Sequence, residues 1–148
     1  MKKIAAATAA LLALSGCTSP DSEDARIGES VERDDVTITV EDKGTRTAEQ
    51  GADPAEWDGK EVRAYEVSIE NTSDKSMDLS NVSKGAASTD AGSPVDVFDP
   101  GYYSEALGTV PAGHKASAKF TYGIPDGATE ITVVISGLGD DIPFTGDL

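Results

Sequence analysis

The sequence predicts an all-β chain folded as an antiparallel sandwich of about seven strands. Three observations carry that expectation. Apolar and polar residues alternate with period two in Val36-Thr37-Ile38-Thr39-Val40, in Val62 to Glu70, in Lys115 to Tyr122 and in Glu130 to Ser136, as strands with one buried face require. Turn chemistry separates these runs, at Asn71-Thr72-Ser73-Asp74, Asp99-Pro100-Gly101, Pro111-Ala112-Gly113 and Pro125-Asp126-Gly127. After Cys17 no stretch sustains an apolar period of 3.6, which excludes helical layers.

The chain divides into three parts. Lys2 and Lys3 precede an apolar run of 11 residues, Ile4 to Leu14, which ends at Leu14-Ser15-Gly16-Cys17. A membrane-spanning helix needs about 20 apolar residues, so residues 1–16 read as an export signal rather than a permanent anchor. Residues 17–35 read as an acidic disordered tether. Between Thr18 and Asp35 there are seven acids, two arginines and few apolar residues, too little apolar surface to offset the entropy of ordering. Eighteen flexible residues would span about 20 to 25 Å. Residues 36–148 form the expected sandwich domain.

Within that domain Tyr65, Val67 and Ile69 share one face of the Val62–Glu70 strand, and Phe120 and Tyr122 share one face of the Lys115–Tyr122 strand. With Val36, Ile38, Val40, Leu79, Ile131, Val133 and Ile135 they make up the expected core. Met77 to Val82, Pro94 to Phe98 and Leu107 to Val110 read as shorter extended pieces, and Lys84 to Pro94 is small, polar and weakly patterned. Glu41 to Glu61 reads as a 21-residue charged connection, either functional or disordered.

Composition excludes several functions. With 27 acidic and 12 basic side chains the formal charge is −15, so the chain repels phosphate backbones and no nucleic-acid partner is expected. One cysteine rules out an internal disulfide framework and any cysteine-rich zinc site. Hydrophobic residues make up 38% and the mean hydropathy is −0.29, enough for one small domain.

Leu14-Ser15-Gly16-Cys17 resembles the lipobox of bacterial lipoproteins. The resemblance implies cleavage before Cys17, a covalent diacylglycerol on its sulfur and anchoring at the extracytoplasmic face of the cell membrane. Two acyl chains hold a protein stably, where one does so only marginally. The ordered features from Val36 to Ser136 carry a second resemblance: the strand closing on Asn71-Thr72-Ser73-Asp74, the approach from Leu107 to Gly113, and Phe120 followed by Ile124-Pro125. Together they are similar to a family of small bacterial envelope lipoproteins with an immunoglobulin-like domain, related in fold to a secreted mycobacterial immunoprotective antigen. That resemblance implies an immunoglobulin-like sandwich and an envelope location, and supplies no catalytic residue.

The residues themselves point the same way. His114 is the only histidine, sits just after a turn, and has no Gly-x-Ser-x-Gly elbow elsewhere to serve. A calcium site would have to use Asp96, Asp99, Glu105, Asp140 or Asp141, but no stretch has the spaced acidic loop with its central glycine. No cofactor, metal or catalytic group is therefore expected. Loop aromatics carry more information. Tyr102 and Tyr103 follow a short, stiff turn and are the candidate interaction residues. Trp57 is a weaker candidate, since it can equally fold back to plug one end of the sandwich. Counting strands up and down places Trp57 and the tyrosine pair at opposite ends, separated by at least about 17 to 20 Å unless one loop folds along the side.

The functional expectation is a non-enzymatic, lipid-anchored cell-surface protein that recognises an envelope protein or extracellular ligand through its loops. The alternative is an accessory lipoprotein binding a small molecule or ion in a transport or envelope-stress system.

Overall fold

The structure, a computed structural model, describes residues 25–104 and 107–148. The expected signal segment, the lipobox-like Leu14–Cys17 and residues 17–24 of the expected tether lie outside the described residues, as does Glu105. In chain order the strands are β1 (Ala25–Arg26), β2 (Ser30–Arg33), β3 (Val36–Thr47), β4 (Glu61–Asn71), β5 (Met77–Asp78), β6 (Ser83–Thr89), β7 (Val95–Val97), β8 (Thr109–Val110), β9 (Lys115–Gly123), β10 (Glu130–Ser136) and β11 (Ile142–Asp147). One sheet runs β2-β3-β4-β9-β7, the facing sheet runs β1-β11-β10-β6, and β5 and β8 form a small ribbon.

The long β3–β4 hairpin is the spine of the five-stranded sheet. Its register runs from Val36 opposite Asn71 to Thr47 opposite Glu61, with a bulge between Asp42 and Gly44. Gly44 takes a left-handed conformation (φ +83°) and donates its N–H to Asp42 Oδ1 at 2.7 Å, a geometry that glycine adopts without steric cost. β9 pairs along β4 from Arg63 opposite Tyr122 to Glu70 opposite Lys115. Strand pairing places Tyr65, Phe120 and Tyr122 side by side, with the Tyr65 and Phe120 rings 5.9 Å apart and Phe120 and Tyr122 5.6 Å apart.

Every residue expected in the core is buried, and Val82, Leu107, Val110, Ile142 and Phe144 join the same cluster. Asn71 is fully buried at the end of β4. Its Nδ2 donates to Lys75 O (2.7 Å) and Val110 O (2.9 Å), and its Oδ1 accepts from Ser73 N (3.0 Å). The turn that the sequence announced is thereby fastened to β8.

Four features differ from the sequence reading. The sheets begin before residue 36, within the segment expected to be disordered, because Ala25 to Arg33 enters both of them. β1 pairs in parallel with β11, Ala25 opposite Phe144, and β2 pairs with β3. Ala25, Ile27 and Val31 pack on the core despite their charged neighbours, and Ile27 lies so close to Gly146 that a Cβ there would sit 2.9 Å from its own. The weakly patterned segment after Ser83 is a strand, β6, and the chain ends in another, β11, whose buried Ile142 and Phe144 alternate with the partly exposed Pro143 and Thr145. The long connection contracts to residues 48–60, since β3 continues to Thr47.

The fourth difference concerns the loops. β7 spans only three residues, about 10 Å of extended chain, and leaves the sheet before crossing it. Phe98 then pairs with Asp53, through Asp53 N to Phe98 O at 3.0 Å and Phe98 N to Asp53 O at 2.9 Å. The 48–60 and 98–104 loops therefore meet over the outer face of the five-stranded sheet instead of standing at opposite ends. Beneath them lies a second small core of Ala48, Ala52, Val62 and Val97, with Trp57 packed against it.

Candidate functional site

Asp99 organises the loop that carries the candidate tyrosines. Its side chain is fully buried, and its Oδ2 lies 2.8 Å from Arg46 Nε. Its Oδ1 accepts from Glu49 N (3.2 Å) and Gly101 N (3.1 Å), while its carbonyl accepts from Tyr102 N (3.0 Å) and Tyr103 N (2.8 Å). Partners of this kind offset the cost of taking a carboxylate out of water.

The turn sends its two tyrosines in different directions. Tyr102 folds onto the sheet, its ring between the Arg46 guanidinium at 4.9 Å and the Lys119 ammonium at 5.5 Å. Burial, and then the charge of Glu66, push its phenol upward in pKa. Tyr103 turns outward and is 48% exposed. Its ring stands 4.9 Å from that of Phe98, itself 42% exposed, at a tilt of 56°, the tilted geometry that aromatic quadrupoles prefer. Phe98 was not a sequence candidate. Its signal was the second of two consecutive apolar residues at the end of an otherwise alternating strand.

Trp57 serves as a plug. It closes so tightly on Gly123 that a Cβ there would lie 2.1 Å from the indole Cη2, and Lys60 Nζ sits 5.5 Å over its ring.

The Phe98–Tyr103 pair borders a hollow of about 540 Å³ whose walls include Asp53, Pro54, Lys84, Asp96 and Phe120. A second, more apolar groove of about 330 Å³ continues between the sheets past Val82, Leu107 and Ile135, and shares Lys84, Tyr103 and Phe120 with the hollow. Lys84 stands at the junction. From edge strand β6 its ammonium pairs with Asp96 of edge strand β7, and lies 5.6 Å from the Phe120 ring and 5.1 Å from the Tyr122 ring. An inward-pointing charge on an edge strand also discourages edge-to-edge pairing with another chain.

The remaining candidates are dispersed. His114 is exposed, with Nδ1 2.9 Å from the carbonyl of Ala112 in its own turn. Asp96 pairs with Lys84, Asp99 is held in its ion pair, and Asp140 and Asp141 lie exposed in the β10–β11 turn. Among the described residues no three His, Cys, Asp or Glu side chains converge so as to hold a metal ion, and no helix is long and apolar enough to cross a membrane.

The fold and this surface define an immunoglobulin-like β-sandwich with an exposed aromatic pair carried on its loops. The chain belongs to the family described as domain of unknown function DUF4352, whose model matches residues 25–146, beginning where β1 begins. No curated protein matches it. Among solved structures it is similar to the yjhA protein of Bacillus subtilis (18% identity, TM-score 0.55, covering 81% of this chain and 97% of that one). It is also similar to MPT63, a secreted protein of Mycobacterium tuberculosis (15% identity, TM-score 0.52, covering 88% and 100%). A third is ycdA of Bacillus subtilis, described provisionally as a lipoprotein (13% identity, TM-score 0.50), where the match covers 80% of this chain and 38% of that one. At these identities the likeness is one of fold.

Proposed function

We propose that this chain is a lipid-anchored, extracytoplasmic recognition protein without catalytic activity, held to the membrane through Cys17 and binding a partner at the Phe98–Tyr103 hollow. The observation that carries the reading is the exposed aromatic pair. Two rings more than two-fifths exposed, 4.9 Å apart, are presented by a turn tied down through the buried Asp99 side chain, which lies against Arg46 and accepts from Glu49 N and Gly101 N. Apolar side chains held this way lose little entropy on binding, the property that marks interface anchors. The lipobox at Leu14 to Cys17 and the secreted and lipoprotein descriptions of two fold relatives support the location.

The test is affinity capture of the membrane-bound protein from its own cells, with wild type compared against Phe98→Ala and Tyr103→Ala. A co-purifying partner retained by wild type and lost from both variants supports the reading. A partner retained equally by all three, or none retained by wild type, contradicts it. Metabolic labelling with a fatty acid tests the anchor: label on wild type and none on Cys17→Ser is expected, and an unlabelled, soluble wild type contradicts it.

A further inference from the structure

The geometry points to a partner that presents cationic side chains: the Phe98–Tyr103 hollow is a recognition site for an arginine or lysine of a basic polypeptide. This rests on the recognition function proposed above and names the chemistry it would take.

The structure itself shows how these walls treat a cation. Among the described residues four aromatic rings have a basic group over them: Trp57 by Lys60, Tyr102 by Arg46 and Lys119, and both Phe120 and Tyr122 by Lys84. Tyr65 and Phe144 are fully buried. Phe98 and Tyr103 are the exposed rings, and no described Lys or Arg covers them. The inner part of the hollow already seats the Lys84 ammonium between two rings and the Asp96 carboxylate. The outer part repeats those elements without the cation. It has two rings, and Asp53, exposed and paired through its backbone directly with Phe98, forms no described ion pair. A cation over an aromatic face gains from the ring quadrupole, and a nearby carboxylate adds attraction. The formal charge of −15 raises the local concentration of a basic partner and repels an acidic one.

General attraction to an acidic chain must be separated from recognition by the rings. The full chain, purified in detergent, is titrated with a capped tetra-arginine peptide, with tetra-lysine and tetra-glutamate for comparison. Binding is read as Kd and as NMR shifts of the aromatic side chains. The expected result is binding of the basic peptides with shifts centred on Phe98 and Tyr103, and no binding of tetra-glutamate. Phe98→Leu and Tyr103→Leu, which keep bulk and net charge while removing the rings, should each weaken tetra-arginine binding about threefold to fivefold. Asp53→Asn should weaken it, and Tyr103→Phe should restore it. Equal affinity in wild type and both leucine variants would overturn the proposal, as would shifts centred elsewhere. Binding of phosphatidylcholine vesicles through the same rings without peptide binding would overturn it as well. Failure here while the cellular partner still depends on Tyr103 would leave recognition intact and remove only its cationic chemistry; loss of that dependence removes both.

Discussion

Arg46 Nε lies 2.8 Å from Asp99 Oδ2 and joins the end of β3 to the turn that bears Tyr102 and Tyr103. The pair is asymmetric. The Arg46 side chain is 29% exposed, whereas that of Asp99 is 0% exposed, so the carboxylate depends on its partners more than the guanidinium does. Asp99→Ala removes the acceptor for two backbone N–H groups along with the ion pair, and should cost about 2 to 4 kcal/mol. Chemical denaturation measures the loss, and NMR should show the rings of Phe98 and Tyr103 no longer in contact.

Phe120 is 5% exposed and touches both Tyr65 and Tyr122. Phe120→Ala should destabilise the domain by about 3 to 5 kcal/mol, a large share of what a single domain possesses. A loss below about 1 kcal/mol in denaturant titration would contradict the register of β9.

Trp57 is the only tryptophan, so its fluorescence reports the plug directly. A Cβ at position 123 would lie 2.1 Å from the indole. Gly123→Ala should therefore displace the ring, shift its emission to longer wavelength and cost about 1 to 3 kcal/mol. In a Trp57→Ala background the same change should cost much less, and a double-mutant cycle measures the coupling.

The core should lose stability in alkali. Burial pushes the phenols of Tyr65 and Tyr122 well above the ordinary value of 10.0; Asp42 pushes Tyr65 the same way, and Asp96 does so for Tyr122. A phenol raised on folding contributes stability that is complete below 10.0 and is lost as pH rises toward its folded value. Denaturation midpoints should thus begin to fall near pH 10, and the tyrosinate absorbance of these two residues should appear only with unfolding.

What was legible in the sequence follows from how local the signal is. β3, β4, β9 and β10 alternate large apolar residues with polar ones, so their existence and facing could be read from short windows. β6 carries small residues in place of that pattern, and Gly85 packs so closely on the neighbouring strand β10 that a Cβ would lie 2.8 Å from Ser136 Oγ. β1 and β2 were hidden by acidic neighbours, and β1 finds its partner in β11 at the far end of the chain. Tyr103 was readable as a loop aromatic beside a stiff turn. Tyr102 was not separable from it, since its inward course depends on Arg46 and Lys119, which only the fold brings to its ring. The meeting of the two loops was likewise hidden, because it depends on β7 ending after three residues.

Recognition at the face carrying Phe98 and Tyr103 can be measured in place. A photo-crosslinking side chain placed at Tyr103, and separately at Thr39 on the partly exposed outer face of β3, measures this in intact cells. A discrete partner adduct is expected from position 103, diminished by Phe98→Leu, and none from position 39. Adducts from both positions in equal yield, or from position 39 alone, would contradict it.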